Sequence, residues 1–319
     1  MGATPIDAEI AGFLAELRAD WQRHPPLGTL SPPEARAVAE RVRARWRTGG
    51  PAMAETRDLT VETAAGPLGL RLHRPAGLPY DPAPALLYIH GGGFVFFSLD
   101  THDRLMREYA AAGGFVVVGI EYPLSPEHRY PLALDRVVAL AAMLDEHGPG
   151  WGIDPSRLAI GGDSAGANLS LAACLRLRDA GTAVPFRALL SNYGAFSGRC
   201  SDAAEAEHGG ADAVLTQAEM VWFFEQYLNQ PEQLDDPYAC PLAARDLAGL
   251  PPVMLLVPDR DVLAEQSFAM AARLEAAGGE VVTHIYPGAT HSFLEAMSVS
   301  RLARTAIADG AAWLAGKLA

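Results

Sequence analysis

Lysine and cysteine are scarce in this sequence, and long apolar segments are missing. The 319 residues include one lysine, Lys317, and three cysteines, Cys174, Cys200 and Cys240. The cysteines form no CxxC pair and no Cys/His spacing typical of a metal site, so we expect reduced thiols and no bound metal. No apolar run approaches the roughly 20 residues that span a bilayer, and the first ten residues lack the pattern of a signal peptide. We therefore expect a cytoplasmic protein without membrane insertion.

Basic residues are also outnumbered by acidic ones. The chain has 25 Lys and Arg against 38 Asp and Glu, which gives a formal net charge of -13 at pH 7. Such an anionic surface argues against nucleic acids and anionic membranes as partners. Hydrophobic residues make up 50% of the chain, enough for a full-sized core, and we expect residues 1–319 to form one domain.

The first fifty residues predict two amphipathic helices. The first has an apolar face at helical spacing and ends at His24-Pro25-Pro26. Ser31 is the expected N-cap of the second helix, with Pro32 at its first position and Glu34 completing a capping box. We expect this segment to belong to a cap above the main domain.

From about residue 58 the pattern changes to short β-rich segments that alternate with helices. Near-continuous apolar strands separated by helices indicate a mainly parallel sheet covered on both faces, which is the α/β class. Residues 58–64 and 67–74 predict a hairpin around Gly66. A long interruption at about 193–250 holds a helix with Thr216 and Glu219 as its capping box, and we expect it to complete the helical cap. The later strand segments are 85–89, 115–120, 158–161, 188–190, 253–257 and 280–286.

The segment from Gly162 to Gly166 matches the pattern G-x-S-x-G in a context typical of a nucleophile. It follows a predicted strand directly and leads into an apolar helix. Small residues permit a sharp turn that presents the hydroxyl of Ser164 above the sheet, at a helix N-terminus. The simpler interpretation is a glycine turn with Ser164 as a helix cap. The context favours Ser164 as the nucleophile.

A glycine-rich segment, His90-Gly91-Gly92-Gly93, follows the strand at 85–89. Glycines there let backbone N–H groups approach a bound carbonyl, and such donors stabilise the oxyanion of a tetrahedral intermediate. Ala165, next to the candidate nucleophile, would supply another N–H. A phosphate-binding loop is the competing interpretation, but the sequence has no Gly-Lys-Ser/Thr and no G-x-G-x-x-G that opens a helix. A flexible connection is the simplest alternative.

An acid and a base are expected on loops after later strands, in the order Ser, Asp or Glu, His. Asp259 and Asp261 both follow the strand at 253–257, and either could be an ordinary helix cap. His291 follows the strand at 280–286 on a glycine-containing loop, where a general base belongs. His284 is expected to be structural within that strand, and His90 to shape its loop. The remaining histidines are expected at the surface or at helix ends: 24, 73, 102, 128, 147 and 208.

In combination these segments resemble the bacterial branch of the hormone-sensitive lipase family, and more closely its bacterial acetyl esterases. The resemblance implies an α/β-hydrolase fold, which we expect as an eight-stranded, mostly parallel sheet flanked by helices with a helical cap at about 1–50 and 193–250. The matching segments are His90-Gly-Gly-Gly-Phe94, Leu99-Asp-Thr-His-Asp-Arg104, Tyr122-Pro-Leu-Ser-Pro-Glu-His128, Gly162-Asp-Ser-Ala-Gly166, Asp261-Val-Leu263 and Tyr286-Pro-Gly-Ala-Thr-His-Ser-Phe293.

The same resemblance implies roles for individual residues. It selects Asp261 over Asp259 as the acid, because the family's aspartate precedes an apolar-Leu pair. It implies that Gly92, Gly93 and the residue after the serine donate to the oxyanion, with Gly91 retained as a further candidate. One departure is Pro123, where the family commonly has an arginine that supports this loop. The resemblance also implies a homodimer and no cofactor.

The expected function is therefore a serine carboxylesterase with the triad Ser164, His291 and Asp261. Aromatic residues near the site, above all Phe94, Tyr193 and Trp222, are expected to narrow the pocket to small-molecule esters with acetyl to butyryl groups. The same triad would also serve an amidase, a lactonase or a metabolite-specific deacetylase, since a fold and its triad do not determine the leaving group. A non-catalytic small-molecule binder is the remaining alternative.

Overall fold

One sheet of eight strands organises the chain in the computed structural model, which describes residues 4–210 and 213–319. The strand order is β1-β2-β4-β3-β5-β6-β7-β8. β2 pairs antiparallel with β1 and β4, and all other neighbours are parallel. The predicted eight-stranded, mostly parallel sheet is thus confirmed, as is the hairpin around Gly66. The strands are β1 (Glu55–Thr63), β2 (Gly66–Arg74), β3 (Ala83–Ile89), β4 (Val116–Glu121), β5 (Ile153–Asp163), β6 (Phe186–Asn192), β7 (Val253–Arg260) and β8 (Val281–Thr290).

Helices cover both faces of this sheet because its strands are apolar on both sides. On β3, Leu87 and Ile89 belong to an apolar cluster that includes residues of α4, α5 and α8, whereas Leu86 and Tyr88 belong to a second cluster that includes residues of α3, α9 and the two N-terminal helices. No helix in the described parts of the chain combines the length and apolarity needed to cross a membrane. The helices are α1 (Ala8–Trp21), α2 (Pro32–Arg43), α3 (Leu99–Gly113), α4 (Leu132–His147), α5 (Ala165–Asp179), α6 (Asp202–His208), α7 (Gln217–Tyr227), α8 (Ala264–Ala276) and α9 (Arg301–Leu318).

Both predicted capping boxes form. The Glu34 carboxylate accepts the Ser31 backbone N–H at 3.0 Å at the start of α2, and Glu219 accepts that of Thr216 at 2.9 Å at the start of α7. Each box satisfies backbone donors that have no partner within the helix, so both helices begin where the sequence predicts.

The N-terminal helix α1 is attached to the C-terminal part of the chain. The Asp7 backbone N–H donates to the Gly288 carbonyl at 2.9 Å, just before the end of β8. The Glu9 carboxylate accepts the Arg301 backbone N–H at 2.6 Å, at the start of α9. These bonds place α1 beside the strand that leads to His291.

The carboxyl ends of β3, β5, β7 and β8 carry every residue predicted for catalysis. The glycine-rich segment follows β3, Ser164 follows β5, and Asp261 follows β7 directly. β8 is longer than predicted, because its pairing resumes between Thr290 and Arg260 of β7 after an irregularity. His291 therefore comes directly after a strand instead of on a free loop. Ligand sites of parallel sheets lie at this edge.

Candidate active site

Ser164 occupies a strained turn between β5 and α5. Its backbone has φ 52° and ψ -115°, a conformation that a residue with a side chain adopts only when its surroundings impose it. A Cβ added to Gly162 would lie 2.1 Å from the Ile89 carbonyl oxygen, and one added to Gly166 would lie 1.9 Å from the same atom. The two glycines of the motif are therefore required for β3 to pass beside the turn.

Three side chains form a continuous hydrogen-bonded chain at this turn. Ser164 Oγ lies 3.1 Å from His291 Nε2, and His291 Nδ1 lies 2.7 Å from Asp261 Oδ2. All three residues are buried. The other oxygen of Asp261 accepts the Leu263 backbone N–H at 2.9 Å, which orients the carboxylate. A serine, an imidazole and a carboxylate in this order are the arrangement that activates a hydroxyl for acyl transfer.

Asp259, the other candidate acid, contacts neither the serine nor the histidine. Its carboxylate instead accepts the Gly288 backbone N–H at 2.7 Å. It therefore holds the end of β8, two residues before Thr290, and stabilises the segment on which His291 lies.

The three glycines of the glycine-rich segment differ in position: the Gly91 amide already has a hydrogen-bond acceptor, whereas Gly92 and Gly93 line the cavity. Gly91 N–H donates to Asp163 Oδ1 at 3.1 Å, which occupies this donor. Gly92 and Gly93 line the same cavity as Ser164 and Ala165. Both adopt positive φ, 107° and 60°, and a Cβ on Gly92 would lie 2.3 Å from the Phe96 carbonyl oxygen. This geometry favours Gly92 and Gly93 over Gly91 as oxyanion donors.

Asp163, the variable residue of the serine motif, is the centre of a buried polar network. Besides Gly91 it accepts the Tyr88 hydroxyl at 2.9 Å, and its Oδ2 lies 3.3 Å from His102 Nε2. Burial by itself would raise the pKa of Asp163, but the neighbouring His102 and the Tyr88 hydroxyl outweigh it and hold this pKa below its usual value. The carboxylate is thus ionised beside the nucleophile.

His73 was expected at the surface or at a helix end and lies at neither, whereas His102 lies in the first turn of α3 but is buried. His102 is 2% exposed and His73 is fully buried. His102 lies on the buried side of α3 and points at Asp163, while His73 lies within β2 with its Nδ1 3.1 Å from Thr56 Oγ1. Position 102 lies one helical turn before Leu105 and Met106, which are both buried. This spacing was the signal in the sequence that could have predicted a buried His102.

A cavity of about 630 Å³ opens in front of Ser164 and His291. Its volume falls in the range typical of small-molecule sites. Both segments predicted to form the cap contribute to its wall: α1 and the segment after it from the N-terminus, and α7 from the interruption at 193–250. The side chains that matter most for its shape are Leu14, Leu17, Trp21, Phe94, Phe96, Phe97, Met220, Phe223 and Phe224.

The three aromatic residues predicted for the pocket lie in different places. Phe94 lines the cavity and stacks on Tyr227, with ring centroids 3.8 Å apart. Tyr193 is fully buried beside the triad, edge-to-face with the His291 ring at 5.1 Å. Trp222 is 40% exposed and stacks on Phe96 outside the cavity wall. Phe223, its neighbour on α7, takes the lining position instead.

Arg43 is a charged residue of the cavity wall that sequence reasoning missed. It lies at the end of α2, is buried, and forms an ion pair with Glu295, which follows His291 by four positions. Burial lowers the pKa of Arg43 to about 10, and the nearby Tyr193 and Asp163 oppose this decrease. The guanidinium therefore stays charged at neutral pH.

Comparison with known proteins identifies a family and several structural relatives. A family model described as alpha/beta hydrolase fold matches residues 86–295. The serine-to-alanine mutant of an α/β hydrolase enzyme from the metagenome of Lake Arreo, Spain, is 30% identical over 98% of both chains, with a TM-score of 0.91. A hyperthermophilic esterase from the archaeon Pyrobaculum calidifontis is 28% identical over 98% of both chains, with a TM-score of 0.89. A thermostable esterase from Pseudomonas putida is 30% identical over 100% of this chain and 99% of its own, with a TM-score of 0.90.

Proposed function

The chain belongs to the family with the α/β-hydrolase fold, and on that premise we propose that it is a serine carboxylesterase for short-chain acyl esters, acetyl to butyryl. Its structural relatives include esterases from Pyrobaculum calidifontis and Pseudomonas putida. The observation that carries the proposal is the hydrogen-bonded chain from Ser164 Oγ through His291 to Asp261, with distances of 3.1 and 2.7 Å. It lies at the wall of a cavity large enough for a small ester.

The reaction proceeds in two acyl transfers. His291 Nε2 takes the proton of Ser164 as Oγ attacks the ester carbonyl, and Asp261 stabilises the imidazolium through Nδ1. The amides of Gly92, Gly93 and Ala165 stabilise the oxyanion, where each such donor contributes about 3–4 kcal/mol to the transition state. His291 returns the proton to the leaving alcohol. Water, deprotonated by the same imidazole, then attacks the acyl-serine, and the imidazolium returns the proton to Ser164 Oγ as the carboxylic acid leaves.

The preference for short acyl groups rests on the aromatic side chains around the nucleophile. Phe94, Phe97 and Phe223 lie in the cavity wall with Gly92 and Gly93, which flank the place of the carbonyl. Rigid rings close to the reacting carbonyl leave room for only a short acyl chain. The rest of the cavity, toward α1, is lined mainly by apolar side chains such as Leu14, Leu17 and Trp21 and is available to the alcohol portion of the ester.

The test is hydrolysis of p-nitrophenyl esters from C2 to C16 by the chain, beside Ser164→Ala and Ser156→Ala. We expect a maximum at C2–C4 and a decrease in kcat of at least about 10⁴-fold in Ser164→Ala. Ser156 is an exposed serine of the same strand, so its variant should match the unmodified chain. Rates that rise steadily toward C16 would contradict the short-chain preference, and activity that survives in Ser164→Ala would contradict the triad.

Covalent labelling separates the alternatives. A fluorophosphonate reacts with an activated serine whatever its natural leaving group. Labelling of Ser164 without ester hydrolysis would indicate an amidase, a lactonase or a deacetylase with a selective pocket. A folded protein that shows no labelling and no hydrolysis would instead be a binder without catalytic activity.

A further inference from the structure

Three residues on one face of α2 contact the segment that carries the proposed oxyanion donors. Arg36, Glu40 and Arg43 are spaced four and three positions apart, so their side chains project from the same side of the helix. Each contacts residues 95–98, which follow Gly92 and Gly93 without interruption. We call residues 91–98 the oxyanion loop.

Arg36 makes the most extensive of these contacts. Its Nε donates to the Val95 carbonyl at 2.8 Å, and its Nη2 donates to the Ser125 carbonyl at 2.6 Å. Its Nη1 and Nη2 also pair with the Glu127 carboxylate at 3.0 and 2.6 Å. The planar guanidinium thus joins the oxyanion loop to the segment after β4. Only arginine has enough donors in this geometry to make all of these contacts together.

Two further contacts extend the same arrangement. Glu40 accepts the Ser98 hydroxyl at 2.7 Å, at the end of the loop. The Arg43 guanidinium lies 5.0 Å from the centre of the Phe97 ring and pairs with Glu295. One helix face therefore touches the oxyanion loop at three points and also reaches the segment after His291.

The backbone of the oxyanion loop needs such support. Phe94 and Phe97 have φ of 66° and 73°, values unfavourable for residues with a side chain. Ser125 N–H donates to the Phe94 carbonyl at 2.9 Å. The segment to which Arg36 donates is therefore itself hydrogen-bonded to the strained loop. A strained loop persists only when its surroundings over-determine it.

We propose that helix α2 braces the oxyanion loop, and that Arg36 is the positioning residue that holds the Gly92 and Gly93 amides in place for catalysis. The inference rests on the proposed function and deepens it. Position 123, where the family resemblance implies an arginine in support of this loop, is a proline, and Arg36 donates to the carbonyl of Ser125, two positions further along the same segment. Arg36 does not belong to the cavity wall in the described parts of the chain. Its loss should therefore act on turnover and not on substrate binding.

The experiment compares Arg36→Met, Arg36→Lys and the control Arg41→Gln with the unmodified chain. Arg41 is exposed and lies about 140° around α2 from Arg36. Steady-state hydrolysis of p-nitrophenyl butyrate gives kcat and KM. Inhibition by phenylboronic acid, whose tetrahedral serine adduct places an oxygen among the oxyanion donors, reports on the loop directly.

We expect Arg36→Met to lower kcat by about 10- to 100-fold, because misplacing catalytic groups by about 1 Å has effects of this size. KM should stay within about threefold, and the inhibition constant of the boronic acid should rise in parallel with the loss in kcat. Arg36→Lys retains one donor and should recover part of the activity, and Arg41→Gln should match the unmodified chain.

A folded Arg36→Met with unchanged kcat would overturn the inference while leaving the proposed function intact. A rise in KM with unchanged kcat would overturn it too, since that result assigns α2 to substrate binding. Should Arg36→Met fail to fold, Glu127→Gln replaces it: Glu127 is exposed and pairs with the guanidinium, and loss of its charge should lower kcat several-fold. If the unmodified chain hydrolyses no ester, the proposed function is refuted, and the inference that α2 braces the oxyanion loop is refuted with it.

Discussion

Replacing Asp163 by alanine and by asparagine separates the charge of this carboxylate from its hydrogen bonds. Asp163 accepts from Tyr88, Gly91 and His102 at 2.9, 3.1 and 3.3 Å. Alanine leaves all three buried donors without an acceptor. Asparagine keeps one oxygen for Tyr88 and Gly91, and its amide can donate to His102 Nε2. The imidazole proton then moves to Nδ1, which faces Thr101 Oγ1 at 3.0 Å.

The two variants should differ clearly in stability. A buried donor left without a partner costs about 1–3 kcal/mol, so three of them should lower the free energy of unfolding in Asp163→Ala by at least about 3 kcal/mol. In Asp163→Asn a charge-assisted bond becomes a neutral one, and the expected loss is about 1–2 kcal/mol. The stable Asp163→Asn should also retain most esterase activity, because Gly91 stays anchored.

Urea unfolding at pH 7, followed by circular dichroism, measures both losses. Asp154→Ala is the matched control, since Asp154 also accepts three bonds, from Ser156 and Arg157 at 2.6–2.9 Å, but is partly exposed. Water replaces those bonds, so the control should lose less than about 1 kcal/mol. If Asp163→Ala is no less stable than Asp163→Asn, the three donors do not depend on the carboxylate, and the reasoning is refuted.

Two other predictions concern pH and pocket size. Burial lowers the pKa of His73 to about 4 and that of His90 to about 3. Between these folded-state values and the ordinary histidine pKa of about 6.5, the unfolded chain binds more protons than the folded chain at these two sites. The free energy of unfolding therefore falls as the pH falls through this range. From pH 7 to pH 5 each histidine should remove about 2 kcal/mol from the free energy of unfolding. In urea titrations at the two pH values, His73→Asn should lose about 2 kcal/mol less than the unmodified chain, and an equal loss would contradict this. Phe223→Ala removes the ring that lies over Gly93 and should raise kcat/KM for hexanoate and octanoate esters relative to butyrate by about tenfold. The control is Phe268→Ala, since Phe268 is exposed. If Phe223→Ala leaves the ratio of these kcat/KM values unchanged, Phe223 does not limit the length of the acyl group.

The parts of the site that could be predicted are those with a local signature. Ser164 was identifiable because its turn requires small residues next to it within one short segment. His291 and Asp261 were identifiable from their order after strands, helped by family resemblance for the choice over Asp259. The sheet followed in the same way from apolar segments alternating with helices. In each case the physical requirement is met by residues adjacent in sequence.

The parts that could not be predicted depend on how distant segments pack. The capping box located the start of α7 correctly, yet it could not tell that Phe223 would face the cavity and Trp222 would stack outside it. The length of β8 was underestimated because Pro287 and Gly288 usually end a strand, whereas here pairing with β7 resumes beyond them. Arg36 and His102 carry no local sign of their contacts, since their partners lie tens of residues away.

The attachment of α1 to the end of β8 and the start of α9 has a consequence for biosynthesis. Glu9 and Arg301, which bond across this junction, are 292 positions apart. Helix α1 is translated before every strand of the sheet, whereas its partners, the end of β8 and the start of α9, are translated after all the other strands. Contacts of such long sequence separation form late and slowly in folding. The cavity wall and the general base are therefore completed together only after β8 and the start of α9 have been made, and a ribosome-bound chain that lacks them carries a serine that is still without its base.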